Sequence, residues 1–260
     1  MITLNGIDVT PTHFPDGTQQ VWKLPDDAIY TASGPHEIYW RFDTEIELVT
    51  IMQLMTLIGN NVNLTIPYLP YGRQDKNVNN KHTFALHTFI DWLSYLNFKS
   101  IRVFDPHSSE LLNTIVGTVI NIDMPDIDYL ACDFDCVCFP DAGAANRYTT
   151  NKPILIGEKV RDQSTGYITH YEIKYHDHVK SGAEILVIDD ICDGGATFNI
   201  LGKCLELYNF MPSLYISHGV FSRGSEGIRD LKKYYKRIIT TDSVSGVSDY
   251  SQVEVIPCFQ

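Results

Sequence analysis

The stretch that most constrains this chain is Val187-Ile-Asp-Asp-Ile-Cys-Asp-Gly-Gly-Ala-Thr-Phe198. An apolar run beginning at Glu184 delivers two adjacent carboxylates, a loop of small residues follows, and a helical pattern opens at Thr197. Strand, helix and strand in sequence, with each strand ending in polar residues, is the pattern of a parallel sheet.

The same grammar recurs along the chain. Val62–Ile66 alternates and runs into Pro67-Tyr-Leu-Pro-Tyr-Gly-Arg-Gln-Asp-Lys76, Ser100–Phe104 ends in Asp105-Pro106-His107, and Val137–Phe139 ends in Pro140-Asp141-Ala-Gly. Leu214–His218 and Arg237–Thr241 are further strands. Helices are predicted over 43–58, where Thr44 and Glu47 have capping-box spacing, over 83–96 with Leu86, Phe89, Ile90, Leu93 and Leu96 on one face, and over 197–208. A helix between the last two strands sets Ile228 and Leu231 against Arg229, Lys232, Lys233 and Lys236, a basic face read most simply as solvated. The fold class is therefore α/β. At 260 residues the chain is long for one core and comfortable for two domains. They are expected at 1–115, with 248–260 returning to it through Val253–Ile256, and at 116–247, each a mostly parallel sheet flanked by helices.

Twenty Lys and Arg against 32 Asp and Glu leave a net charge of −12. That argues against a protein whose main work is gripping nucleic acid and against simple adhesion to anionic membranes, but not against small phosphate ligands held by backbone N–H groups. No run is long and apolar enough to span a membrane, and the first residues lack a basic stretch followed by an apolar one. The six cysteines lack zinc-knuckle spacing and read as reduced, mostly buried thiols of a cytoplasmic protein.

Ligands bind at the carboxyl ends of strands in open α/β sheets. Asp189 and Asp190 can accept hydrogen bonds from two vicinal hydroxyls. Gly194 and Gly195 let backbone approach closely, and the N–H groups of Asp193 to Ala196 and Thr197, with the Thr197 hydroxyl, can wrap a phosphate. Together they suit a sugar phosphate better than a plain N-cap turn.

This loop resembles that of phosphoribosyltransferases and ribose-phosphate diphosphokinases. Pro70-Tyr-Gly-Arg-Gln-Asp-Lys76, Asp105-Pro-His107, Pro140-Asp-Ala-Gly143 followed by Arg147, Lys159-Val-Arg161, His218-Gly-Val-Phe221 and Thr240-Thr-Asp-Ser243 fall in the diphosphokinases' order. The resemblance runs from about Phe14 to Ser243. It implies two phosphoribosyltransferase-like domains and transfer of a diphosphoryl group from Mg-ATP to the anomeric hydroxyl of ribose 5-phosphate, releasing AMP. It implies catalytic roles for Lys159 and Arg161 on a glycine-containing flap (157–166), and Mg²⁺ held or oriented by His107 and Asp141. ATP binding falls to Arg73, Gln74, Asp75 and His107, with Phe14 and Asp16 in a segment that reaches a neighbouring subunit's ATP, although Pro-Asp-Gly17 also reads as a turn. Asp189, Asp190 and Asp193 to Thr197 bind the ribose phosphate.

A homo-oligomer is implied too. Only about a dozen residues precede the Phe14 segment, so the first domain is expected to be trimmed, which bears on the family's hexameric interface and allosteric site. The loop reads Asp-Gly-Gly-Ala-Thr where Asp-Thr-Ala-Gly-Thr is common, which leaves room beside the 5-phosphate for an acceptor such as ADP-ribose. A phosphoribosyltransferase and a non-catalytic regulatory subunit are the other readings. The first needs neither Arg73-Gln74 nor Lys159/Arg161, and the second would be expected to have eroded catalytic positions, whereas Lys159, Arg161, His107 and Asp141 are all present.

Overall fold

A computed structural model describes residues 1–26, 34–76, 81–161, 168–175 and 178–259. The chain divides into two compact units, Met1–Met124 with Phe259, and Pro125–Cys258.

In the first unit β1 (Ile2–Leu4) and β2 (Ile7–Asp8) form a hairpin, and β3 (Thr12–His13) with β4 (Gln19–Gln20) a small ribbon of its own. β5 (His36–Trp40), helix α1 (Ile46–Ile58), β6 (Val62–Ile66), helix α2 (Ala85–Leu96), β7 (Ser100–Phe104) and β8 (Val119–Asp123) follow. The sheet order is β2-β1-β5-β6-β7-β8, parallel from β5 onward. Period-two alternation sends Val62, Leu64, Ile66, Ile101 and Val103 into the same core as Ile51, Leu54, Phe89, Ile90 and Leu93 of the two helices. The opposite face carries a polar ladder. Asn63 Nδ2 donates to Glu37 (2.7 Å), Ser100 Oγ donates to Asn63 (2.7 Å), and Arg102 grips Asp123 through two bonds (2.7 and 2.9 Å).

The expected capping box at Thr44 is replaced by another arrangement. α1 begins at Ile46 with no side-chain cap, and the Glu47 carboxylate instead accepts from the Asp43 N–H and the Trp40 indole N–H, both at 2.9 Å. The indole of the fully buried Trp40 has no alternative to a protein acceptor, so it captures the carboxylate.

The second unit contains helix α3 (Ile127–Leu130), β9 (Cys136–Phe139), helix α4 (Ala142–Arg147), β10 (Ile154–Arg161), β11 (Ile168–Lys174), β12 (Glu184–Cys192), helix α5 (Ala196–Leu207), β13 (Met211–Gly219), helix α6 (Gly224–Leu231), β14 (Ile238–Thr241) and β15 (Glu254–Ile256). The sheet order is β11-β10-β9-β12-β13-β14-β15, with β11 alone antiparallel. β12 is buried on both faces. Ile185 and Val187 join Leu201, Leu205 and Leu231 of α5 and α6, whereas Leu186 and Ile188 join Phe139, Ala144 and Tyr215. The chain winds from β9 outward to β10, then from β12 outward the other way, so the topological switch point lies between β9 and β12.

Two sequence-based boundaries differ from this. Val119–Asp123 pairs with β7, so the first unit extends through Met124 rather than ending at 115. Val253–Ile256 does not return to the first sheet: β15 lies parallel to β14, and Val253 is in the second core. Bonds from Asp242 N to the Ile256 carbonyl (3.0 Å) and from Cys258 N to the Asp242 carboxylate (2.8 Å) fix it there. A three-residue strand reads too weakly to choose its sheet. Of the C-terminal residues only Phe259 belongs with the first unit, beneath the Arg102 guanidinium at 4.3 Å. All six cysteines are free, and all but Cys132 are buried. Among the described residues no helix is long and apolar enough to cross a membrane.

Candidate functional site

In the second unit the candidate residues gather at the switch point. Asp189 and Asp190 lie within β12 rather than after it, because the strand runs on to Cys192 alongside β13. Asp190 is 4% exposed, and its Oδ2 is 3.8 Å from Arg147 Nη2 at the end of α4. Burial, the Asp190 charge, a hydrogen bond with Asp190 and the Asp141 charge hold the Asp189 carboxyl well above the usual carboxylate range. Two adjacent carboxyls in one desolvated pocket are poised for a partner that supplies hydrogen-bond donors. Asp141, at the end of β9, caps α4 by accepting from Ala144 N (3.0 Å). Its structural role is therefore real, and its electrostatic reach to Asp189 is a second one.

Downstream of Asp190 the chain turns through Asp193, Gly194 and Gly195 into α5, which carries Ala196 and Thr197 in its first turn. Gly195 has φ +77°, a left-handed conformation that suits glycine, and no side chain caps the helix. The first N–H groups of α5 therefore have no side-chain acceptor from the cap residue, the condition under which a helix start receives an anion.

Lys159 and Arg161 lie on the far half of β10. Only Ile154–Ile156 pair with β9, whereas the register continues to Arg161 with β11, Lys159 facing Tyr171 and Arg161 facing Ile168 across a bulge. The two cationic positions are thus on a two-stranded arm projecting past the sheet, and 162–167 of the expected flap lie outside the described residues. The arm's base is tied to the switch point by close approach. A Cβ on Gly157 would stand 2.9 Å from the Pro140 carbonyl oxygen and 3.2 Å from Tyr171 Cε1. Gly157→Ala is therefore expected to push the arm off the Pro140-Asp141 turn. It should cost about 1–3 kcal/mol, read as a lower denaturation midpoint. A wild-type midpoint would move the anchor elsewhere.

In the first unit the 67–76 segment leaves β6 and the 105–107 segment leaves β7. A Cβ built on Gly72 would be 3.6 Å from His107 Cβ, so Arg73 and Gln74 follow a backbone packed against His107. The Gln74 backbone is fixed by bonds from its N–H to the Tyr71 carbonyl (2.8 Å) and from Leu86 N to its carbonyl (3.2 Å), and the side chains of Arg73, Gln74 and His107 are exposed. Asp75, half-buried, ends this turn. Burial and the Glu45 carboxylate, which accepts from its hydroxyl at 2.8 Å, push Tyr71 up to about 12. Asp105, fully buried, takes φ +39° at the end of β7.

Phe14 and Asp16 form the tip between β3 and β4. Asp16 Oδ1 accepts from the Thr18 N–H (3.0 Å) and hydroxyl (2.7 Å), which holds its carboxyl below the usual range. The carboxylate is thus committed to the turn that Pro-Asp-Gly suggests.

His107 and Asp141, the expected Mg²⁺ residues, stand in different units, and among the described residues no group of three or more His, Cys, Asp and Glu is disposed to hold a metal ion. The switch-point donors are carboxylate oxygens. They suit a Mg²⁺ that keeps several waters and leans on substrate phosphates better than a bare ion in a protein cage. Arg147 is the site residue that sequence reasoning quoted without giving it a role; its position one helix after Asp141 was the available signal.

The fold is that of a two-unit α/β protein, each unit with a mostly parallel sheet flanked by helices. No family model matches the chain. The ribose-phosphate pyrophosphokinase of Sulfolobus acidocaldarius is 27% identical over 223 residues, covering 81% of this chain and 75% of that protein. The enzyme of the same name from Sulfurisphaera tokodaii is 25% identical over 224 residues, with the same coverage. The phosphoribosylpyrophosphate synthetase structure from Mycobacterium smegmatis superposes with a TM-score of 0.64 at 19% identity, over 81% of this chain and 72% of that one. The chain is thus similar, at 25–27% identity, to proteins named ribose-phosphate pyrophosphokinase.

Proposed function

We propose that this protein transfers a diphosphoryl group from ATP to the anomeric hydroxyl of a ribose 5-phosphate-type acceptor. The hydroxyl oxygen bonds to the β-phosphorus, the bridge between the α- and β-phosphorus breaks, AMP leaves with the bridging oxygen, and the hydroxyl proton is released. The observation that carries this reading is the Asp189–Asp190 pair leading directly into the 193–195 loop and the uncapped start of α5.

In this reading Asp189 and Asp190 accept from the vicinal ribose hydroxyls, and the 193–197 backbone holds the 5-phosphate. Arg73 and Gln74, packed beside His107, bind ATP. Lys159 and Arg161 neutralise charge developing on the transferred group, where positioned cations do most of the work. Mg²⁺, if bound, would supply further charge neutralisation on the phosphates, and Asp141 and His107 are the residues that would hold or orient it. Relatives named ribose-phosphate pyrophosphokinase support the assignment at 25–27% identity.

The test is incubation with ATP, Mg²⁺ and either ribose 5-phosphate or ADP-ribose, recording AMP release and product mass. The expected product is heavier than the acceptor by one diphosphoryl group. A protein that forms no AMP with either acceptor but stimulates a separate synthetase is a regulatory subunit. One that consumes an activated ribose diphosphate and releases pyrophosphate is a phosphoribosyltransferase.

A further inference from the structure

We infer that Arg223 is a specificity-determining residue of the acceptor site, a cation placed to bind a second phosphoryl group carried on the acceptor's 5-phosphate. The inference rests on the reading that the 193–197 loop holds that phosphate.

β13 leaves the sheet at Gly219, and the following turn is pinned back onto the end of β12. Phe221 N donates to the Cys192 carbonyl (3.0 Å), and Gly224 N to the Phe221 carbonyl (2.7 Å). This brings Arg223 against the phosphate loop. A Cβ on Gly227 would stand 3.0 Å from Arg223 Cβ, and one on Gly194 would stand 3.7 Å from Arg223 Cδ. Among the described residues nothing else comes within 4 Å of that Gly194 position. The flank of the loop is therefore open, and the arginine stem is what borders it.

The guanidinium is held at one corner only. Nη2 reaches Glu226 Oε1 at 2.8 Å and Asp230 Oδ2 at 3.0 Å, and Lys233 Nζ shares Asp230 at 2.8 Å. Nε and Nη1 make no hydrogen bond within the described residues, which leaves three N–H donors on an oriented, always-charged fork. One phosphate is enough to occupy the helix start. The open side at Gly194 gives its ester oxygen an exit bordered by the Arg223 stem, and a phosphoryl group one bond further along would come within reach of that guanidinium. The acceptor class this arrangement favours is a ribose whose 5-phosphate is part of a diphosphate, as in ADP-ribose. A bidentate contact of this kind is one that lysine cannot reproduce.

The experiment compares wild type, Arg223→Gln and Arg223→Lys as the full chain with Mg-ATP, using ribose 5-phosphate and ADP-ribose as acceptors and AMP as the readout. The ratio of kcat/KM for ADP-ribose over ribose 5-phosphate is expected to fall tenfold or more in Arg223→Gln and less in Arg223→Lys, through KM rather than kcat. An unchanged ratio in either folded variant overturns the inference; if Arg223→Gln does not fold, Arg223→Lys alone decides. Wild type that makes AMP from ribose 5-phosphate and none from ADP-ribose overturns the inference and leaves the diphosphoryl-transfer reading standing. Wild type that makes AMP from neither overturns both.

Discussion

Lys159→Ala is expected to lower single-turnover AMP formation by about two orders of magnitude or more at saturating ATP and acceptor, the size of effect seen when one positioned charge-stabilising group is removed. The reason is where β10 goes. Its first residues pair with β9, but Lys159 and Arg161 lie on the stretch held by β11 alone, beyond the close contact of Gly157 with Pro140. A cationic position there is carried past the switch point by a structure anchored beside it. The backbone hydrogen bonds of the arm do not depend on the side chain at 159, so the variant should retain wild-type stability and ATP affinity. Arg161→Ala should behave alike, and the double variant should cost less than the product of the single effects if the two act as a unit. Wild-type rates in both single variants would make this arm purely structural.

Asp189→Asn should separate stability from function. Burial and the Asp190 charge already raise the Asp189 carboxyl well above its ordinary value, so in the metal-free, ligand-free protein the ionised form is a liability. A raised carboxyl means that the folded state keeps a proton the unfolded chain loses above about pH 4. Stability therefore falls as pH climbs from there through the raised value. Asparagine removes that dependence. The variant should match wild type near pH 4 and melt higher by a few degrees at pH 7, since about 1 kcal/mol moves Tm by roughly 2–8 °C for a domain of this size. Acceptor affinity should move the other way. Each charge-assisted hydrogen bond lost is worth about 1.5–3 kcal/mol, so Kd for ribose 5-phosphate should rise tenfold or more, and further in the double variant with Asp190→Asn. Thermal melts across pH and calorimetric titration check the two halves. Unchanged acceptor binding in a folded double variant would place the ribose elsewhere.

The second half of the site was legible because its logic is local. A strand buried on both faces needs a continuous apolar run, carboxylates at its end need a reason, and small residues before a helix pattern admit close backbone approach. Asp189 to Thr197 can be read without knowing any neighbour, as can Arg73-Gln74 after β6. The turn at Asp16 was equally local, and the structure shows its carboxylate bound to Thr18. The positions around Arg147 and Arg223 were not local. Arg147 matters because α4 brings it to Asp190, and Arg223 because the turn after β13 is tied to Cys192 of a different strand.

By itself, the sequence determined the α/β class, the presence of two units and the carboxylate-to-loop motif, since all three follow from residue periodicity and residue type along one strand or helix. Only the tertiary structure decided which sheet takes Val253–Ile256, that Val119–Asp123 completes the first sheet, and that the switch point falls between β9 and β12. Strand partners are chosen by hydrogen bonds and packing between segments far apart in the chain. A short strand such as β15 carries too few side chains to encode that choice in its own residues.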